Sequence, residues 1–160
     1  MRKTKTKELT LLAILTSLTI VLGFFGRIPT PTGVTTLLDV GIYFTAFYFG
    51  KEHGAVVGGV AAFLFDLLAG YPQWMVISLL AHGGQGYLAG LSGKKHLLGF
   101  LLGTIFMVAV YFVASSLMYG IGAATAEVLT NTMQNVVGVI GGYLLCATFG
   151  KIRGEKTYES

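Results

Sequence analysis

Long apolar runs alternate along the chain with short stretches that hold most of its charges and all three prolines. The runs are too long for strands and lack the period of two that a half-buried strand requires. Taken between turn signals, they predict six helices at 8–25, 34–49, 54–70, 74–92, 97–120 and 124–149. Polar residues interrupt this pattern at helical spacing. Ser78, His82 and Gln85 follow Trp74 on one face of the fourth helix, and Glu127, Asn131, Gln134 and Asn135 share one face of the sixth. Gly54, Gly58, Ala62, Asp66 and Gly70 recur every four residues along the third, a stripe of small side chains carrying one carboxylate. Such stripes let helix backbones approach closely in lipid. Ala13 and Ser17 form a second small pair on a bulky first helix, read either as internal packing or as a docking groove for a partner membrane protein.

Composition identifies the solvent. Of 160 residues, 54% are apolar and 11% charged, with a mean hydropathy of +0.73. A soluble domain carries roughly 25% charged residues. Six spans of roughly 20 residues would use about 120 positions, which leaves tails and loops but no soluble catalytic or ATP-binding domain. The expectation is therefore an all-α integral membrane protein, one domain over 1–160, built as a six-helix bundle.

The charges orient it. With the first tail in the cytoplasm, Arg2, Lys3, Lys5, Lys7, Lys51, Lys94, Lys95, Lys151, Arg153 and Lys156 all face inward and Arg27 alone faces out. This positive-inside bias puts both termini in the cytoplasm and requires an even number of spans. The excess of 11 Lys+Arg over 7 Asp+Glu is thus loop charge at a membrane, not a nucleic-acid surface. The first helix lacks a small-residue cleavage site after it and reads as a retained span. The outer segment 26–33 contains Pro29 and Pro31, cannot be helical, and is expected to form a shaped flap over the outer face.

In that topology Asp39, Asp66 and Glu127 all fall in the outer half of the membrane, with no Lys or Arg inside any span to neutralise them. Such carboxylates are expensive unless they are protonated, hydrogen-bonded, close to water, or opposite a ligand's donors. Together with Tyr43, Trp74, Ser78, His82, Gln85, Asn131 and Gln134, and with Tyr71 and Tyr119 nearby, they outline an outward-facing pocket for a small flat polar molecule. The aromatics would stack its ring and the polar groups would meet its edge. Acceptors without a cation favour a neutral or cationic amino-heterocycle over a phosphate or carboxylate. Two other classes stay open: a structural membrane protein whose polar faces only assemble the bundle, and a membrane enzyme using His82 and Glu127. Against the enzyme, there is no HExxH or GxSxG motif, and the single cysteine, Cys146, provides no thiolate metal site. No catalytic residue, metal or cofactor is assigned to the chain.

The basic N-terminus before a small-xxx-small helix, the loop ending in Pro31-Thr32-Gly33, then Gly70-Tyr71-Pro72-Gln73-Trp74 and the run from His82 to Gly90 (HGGQGYLAG) resemble the substrate-binding S components of energy-coupling factor (ECF) vitamin transporters. The resemblance covers nearly the whole chain, and it is greatest to the branch associated with hydroxymethylpyrimidine, a thiamine precursor, and pyridoxine-type vitamers. It implies a six-helix protein of the prokaryotic cytoplasmic membrane that captures a vitamin under its first outer loop. It also implies delivery through a transmembrane coupling protein and two cytoplasmic ATPases, which bind the ATP. Ala13 and Ser17 fall where the family has an AxxxA-type docking motif, with Ser in place of the second Ala. The 82–90 run, Glu127 and Asn131 correspond to pocket-lining positions.

Overall fold

A computed structural model describes residues 2–30, 32–91 and 96–153. Pro31, Lys94, Lys95 and Lys156 lie outside the described residues, as do the side chains of Arg2, Lys3, Lys151 and Arg153. Among the described residues there are six α-helices and one small hairpin. In chain order they are α1 (Arg2–Phe25), β1 (Ile28–Pro29), β2 (Val34–Thr35), α2 (Leu38–Phe49), α3 (Lys51–Ala69), α4 (Met75–Ala89), α5 (His96–Tyr119) and α6 (Ile121–Arg153).

The segment 34–49 expected to be one helix is divided. Val34 and Thr35 pair antiparallel with Pro29 and Ile28, so α2 begins only at Leu38. β-branched residues just after a Gly suit this extended pairing. The other ends differ by smaller amounts: α1 and α6 extend beyond 8–25 and 124–149, and α4 stops at Ala89 before Gly90.

Two connections are reduced to one residue. Gly50 joins α2 to α3 at φ +92°, and Gly120 joins α5 to α6 at φ +89°. Both sit in the left-handed half of backbone space that only glycine enters freely, which is how a helix reverses without a loop.

Lys5–Phe25, Lys51–Ala69, Leu97–Tyr119 and Ile121–Gly150 are long and apolar enough to cross a membrane. The α2 and α4 helices are shorter, with 12 and 15 residues, and α2 lies in the interior. The α2 helix packs against α1, α3, α4 and α6, and buries Leu38, Ile42, Tyr43, Ala46 and Phe47. Bulky side chains elsewhere point outward, among them Leu18, Val113 and Leu144. An apolar exterior around a more polar interior inverts the soluble arrangement and suits lipid.

The glycine stripe of α3 packs on α4. A Cβ at Gly54 would meet the Gly86 carbonyl, and one at Gly58 would meet the His82 carbonyl. The two backbones approach this closely because the α3 residue at each contact is a glycine, with glycine on both sides where Gly54 meets Gly86. Farther along the same stripe, Ala62 and Asp66 reach a cavity at the end of the bundle.

Candidate functional site

The cavity lies where the hairpin, the start of α2, the end of α3, the start of α4, the middle of α5 and the first half of α6 converge. Helical spacing on α4 turns Trp74, Ser78 and His82 into it, and on α6 does the same for Glu127, Asn131 and Gln134. The α3 helix contributes Phe65 and Asp66, α5 contributes Met107 and Tyr111, and Tyr71 enters from the turn before α4. The space open to the centres of water-sized molecules is about 40 Å³.

The hairpin is the roof. Its tip is closed by Thr30 N–H donating to the Gly33 carbonyl at 3.0 Å and Gly33 N–H donating to Thr30 Oγ1 at 3.0 Å. Trp74 Nε1 donates to the Thr32 carbonyl at 2.9 Å, which ties the roof to α4. The hydroxyls of Thr30, at 2.9 Å, and Thr32 both donate to Glu127 Oε1, and Thr36 N–H donates to Gln134 Oε1 at 2.8 Å, which tie it to α6. The Trp74 ring contacts those of Tyr111 and Tyr119, with centroids 5.6 and 5.9 Å away.

The walls carry two carboxylates, one imidazole and, among the described residues, no Lys or Arg. Ser78 Oγ and the Tyr111 hydroxyl share a hydrogen bond of 2.6 Å. Asp66 is 6% exposed, and its Oδ2 is buried with no hydrogen-bond partner among the described residues. Asp39 Oδ2, in the layer beneath, is buried without a partner in the same way, and an unpaired buried carboxylate oxygen is costly.

Below the cavity floor lies a second polar layer. Gln85 Nε2 donates to Asp39 Oδ1 at 2.6 Å and to Asn135 Oδ1 at 2.7 Å, and the Tyr43 hydroxyl donates to the same Asn135 oxygen at 2.7 Å. His82 Nδ1 lies 2.7 Å from Gln85 Oε1 and 3.3 Å from Asp39 Oδ1.

Comparison with known proteins shows the family. The family profile described as "ECF-type riboflavin transporter, S component" matches residues 3–151. The chain belongs to the ECF S component family. A relative named thiamine precursor transporter HmpT, from Lactococcus lactis subsp. cremoris, is 52% identical over 137 residues, which is 84% of this chain and 82% of that protein. An uncharacterized protein of Pyrococcus woesei is 36% identical over 138 residues, 79% of this chain and 93% of that one. A solved structure titled "Structure and mechanism of the S component of a bacterial ECF transporter" superposes with a TM-score of 0.73 over 92% of this chain and 98% of that one, at 22% identity.

In this S component, seven of the residues singled out from sequence line one cavity: Asp66, Trp74, Ser78, His82, Glu127, Asn131 and Gln134. Asp39, Tyr43 and Gln85 lie one layer beneath it. Thr30, Thr36, Phe65, Met107, Tyr111 and Thr130 also line it and were not anticipated. Tyr111 had a signal, a lone hydroxyl inside the apolar run 105–114 that needs a partner once buried. Ala13 and Ser17 are remote from the cavity, on an exposed face of α1.

Proposed function

We propose that this S component captures a small amino-heterocycle, a thiamine precursor of the hydroxymethylpyrimidine type, and passes it to a coupling protein energised by two ATPases. The observation that carries the reading is a cavity whose walls hold two carboxylates, Asp66 and Glu127, and no Lys or Arg among the described residues. An exocyclic amine and a hydroxyl would supply donors to them. A phosphorylated ligand would meet two carboxylates in low dielectric. The relative named as a thiamine precursor transporter supports the same choice. Pyridoxine and pyridoxamine offer similar donors and come next.

In this reading six helices cross the prokaryotic cytoplasmic membrane with both termini inside, as the basic bias implies. The cavity then opens outward. In a Cys146→Ser background, cysteine at Ile28, which is 68% exposed, should react with an impermeant thiol reagent on intact cells, and cysteine at Lys156 should not. The reverse pattern would invert the orientation.

The chain has no ATPase activity of its own here, and α1 is its docking helix. Leu15, Thr16 and Thr19 face the interior, whereas Ala13 and Ser17 face out. Ser17 Oγ donates to its own helix at the Ala13 carbonyl, 2.8 Å away, so the small pair presents no unsatisfied donor to a partner helix.

A thermal-shift panel of B-vitamin precursors tests the substrate class. Ligand at one hundred times Kd should add about 2.7 kcal/mol. No shift with any compound would favour a structural protein, and turnover would favour an enzyme using His82 and Glu127.

A further inference from the structure

The hydrogen-bond layer beneath the cavity fixes where its protons sit. The Asn131 carbonyl can only accept, so Asn135 Nδ2 donates to it at 2.9 Å and turns Oδ1 toward Tyr43 and Gln85. Gln85 Nε2 gives one hydrogen to that oxygen and the other to Asp39 Oδ1, which leaves Oε1 facing His82 Nδ1 at 2.7 Å. A carbonyl oxygen cannot donate, so Nδ1 carries a proton.

That proton decides the charge of Asp39. The groups at its Oδ1 are the Gln85 amide nitrogen and the protonated His82 Nδ1, 3.3 Å away, and neither can accept a hydrogen bond. Its Oδ2 has no partner among the described residues. A neutral Asp39 would therefore bury an O–H without an acceptor. Its place in the first turn of α2 also favours the anion, but a helix end supplies only about half a unit charge. A fully buried carboxylate needs a fuller counter-charge. Asp66 of α3, Tyr111 of α5 and Glu127 of α6 line the cavity with His82, the Tyr111 ring lying 5.7 Å from the imidazole, and Tyr43 of α2 joins the layer beneath. All four are acids that supply no positive charge, so the counter-charge falls to the imidazole. Gln85 and Asp39, the neighbours of Nδ1, are absent from the cavity wall, whereas His82 is part of it. The opposite edge of the ring, bearing Nε2, is the one left to meet a ligand.

We infer that His82 is the imidazolium of a buried ion pair with Asp39, and that its Nε2–H is a specificity-determining donor for a ligand ring nitrogen. This deepens the proposed function and rests on it for the identity of the ligand. An aminopyrimidine carries a ring nitrogen beside an exocyclic amine, so a charged N–H and a carboxylate in one cavity match both groups of that edge. Asp39 balances the imidazolium from below, so Asp66 and Glu127 still oppose a phosphate.

The test begins with nitrogen-15 NMR of untagged, histidine-labelled full-length protein in lipid nanodiscs, with His53→Gln and His96→Gln isolating the His82 signals. At about pH 7.5, roughly one unit above the ordinary histidine pKa, both ring nitrogens should be protonated. Hydroxymethylpyrimidine should move Nε2 more than Nδ1. Asp39→Asn keeps an acceptor for Gln85 and should return the ring to the neutral Nδ1–H form. Calorimetric titration then compares hydroxymethylpyrimidine with its carbocyclic analogue, in which C–H replaces both ring nitrogens. Wild type should prefer the pyrimidine by roughly 10- to 150-fold, the worth of a charge-assisted hydrogen bond, and Asp39→Asn should erase most of that preference. A neutral wild-type ring overturns the inference whether or not the variant folds, and so does an imidazolium that persists in folded Asp39→Asn protein. If hydroxymethylpyrimidine binds without moving Nε2, or no better than its analogue, the donor role is wrong. If the ring is doubly protonated and only pyridoxamine binds and moves Nε2, the inference stands and the substrate reading falls.

Discussion

Thr30 Oγ1 donates to Glu127 Oε1 at 2.9 Å, joining the roof of the cavity to α6 across 97 positions of sequence, and Thr32 donates to the same oxygen. Glu127 is also part of the cavity wall. One carboxylate thus stands between the element that covers the site and whatever occupies it, and its hydroxyl partners are neutral donors that a ligand amine can compete with.

Glu127→Gln should leave the bundle folded and weaken hydroxymethylpyrimidine binding by roughly 10- to 150-fold. Gln retains one acceptor for the threonine hydroxyls but removes the charge, and a charge-assisted hydrogen bond is worth about 1.5–3 kcal/mol. Titration calorimetry reads this directly. Unchanged affinity would remove Glu127 from the ligand's contacts.

Trp74→Phe should loosen the roof without emptying the aromatic stack. The smaller ring can still pack against Tyr111 and Tyr119, but the Nε1 donor to the Thr32 carbonyl is lost. One hydrogen bond of about 0.5–1.5 kcal/mol corresponds to roughly 2- to 12-fold faster opening. Amide hydrogen exchange at Gly33 should accelerate by about that factor, with exchange in α3 unchanged. Equal acceleration in α3 would mean that the tryptophan supports the whole bundle.

Much of this site is legible in the amino-acid sequence because helices make spacing geometric. Glu127, Asn131 and Gln134 share a face at three- and four-residue steps, as do Trp74, Ser78 and His82, and the cavity uses both faces. Depth is harder to read. Gln85 is on the His82 face but about 4.5 Å farther along the axis, at 1.5 Å per residue, enough to move it from the wall to the layer beneath. The roof is harder still. Two prolines announce a non-helical segment, yet nothing local says that Val34 and Thr35 fold back onto Ile28 and Pro29, or that Thr30 and Thr32 reach Glu127. Those are long-range pairings without a period.

Replacing both Ala13 and Ser17 with Leu should separate capture from delivery. The pair is exposed and remote from the cavity, so ligand titration on the purified variant should match wild type. The added bulk removes the close approach that drives helix association in lipid, so ATP-dependent uptake in proteoliposomes holding the complete complex should fall at least tenfold. Normal uptake would exclude this face as the docking surface. Lost ligand binding would make the pair part of the internal packing.

The central claim, that an acceptor-lined cavity selects a small donor-bearing heterocycle, is tested most directly by titrating the purified S component with hydroxymethylpyrimidine, pyridoxamine and riboflavin under identical conditions, for wild type and Asp66→Asn. Hydroxymethylpyrimidine should bind at one site and most tightly, riboflavin should give no heat of binding, and Asp66→Asn should lose roughly tenfold or more in affinity for hydroxymethylpyrimidine. Tight riboflavin binding with no response to the pyrimidine, or full pyrimidine affinity without the Asp66 charge, would contradict the account.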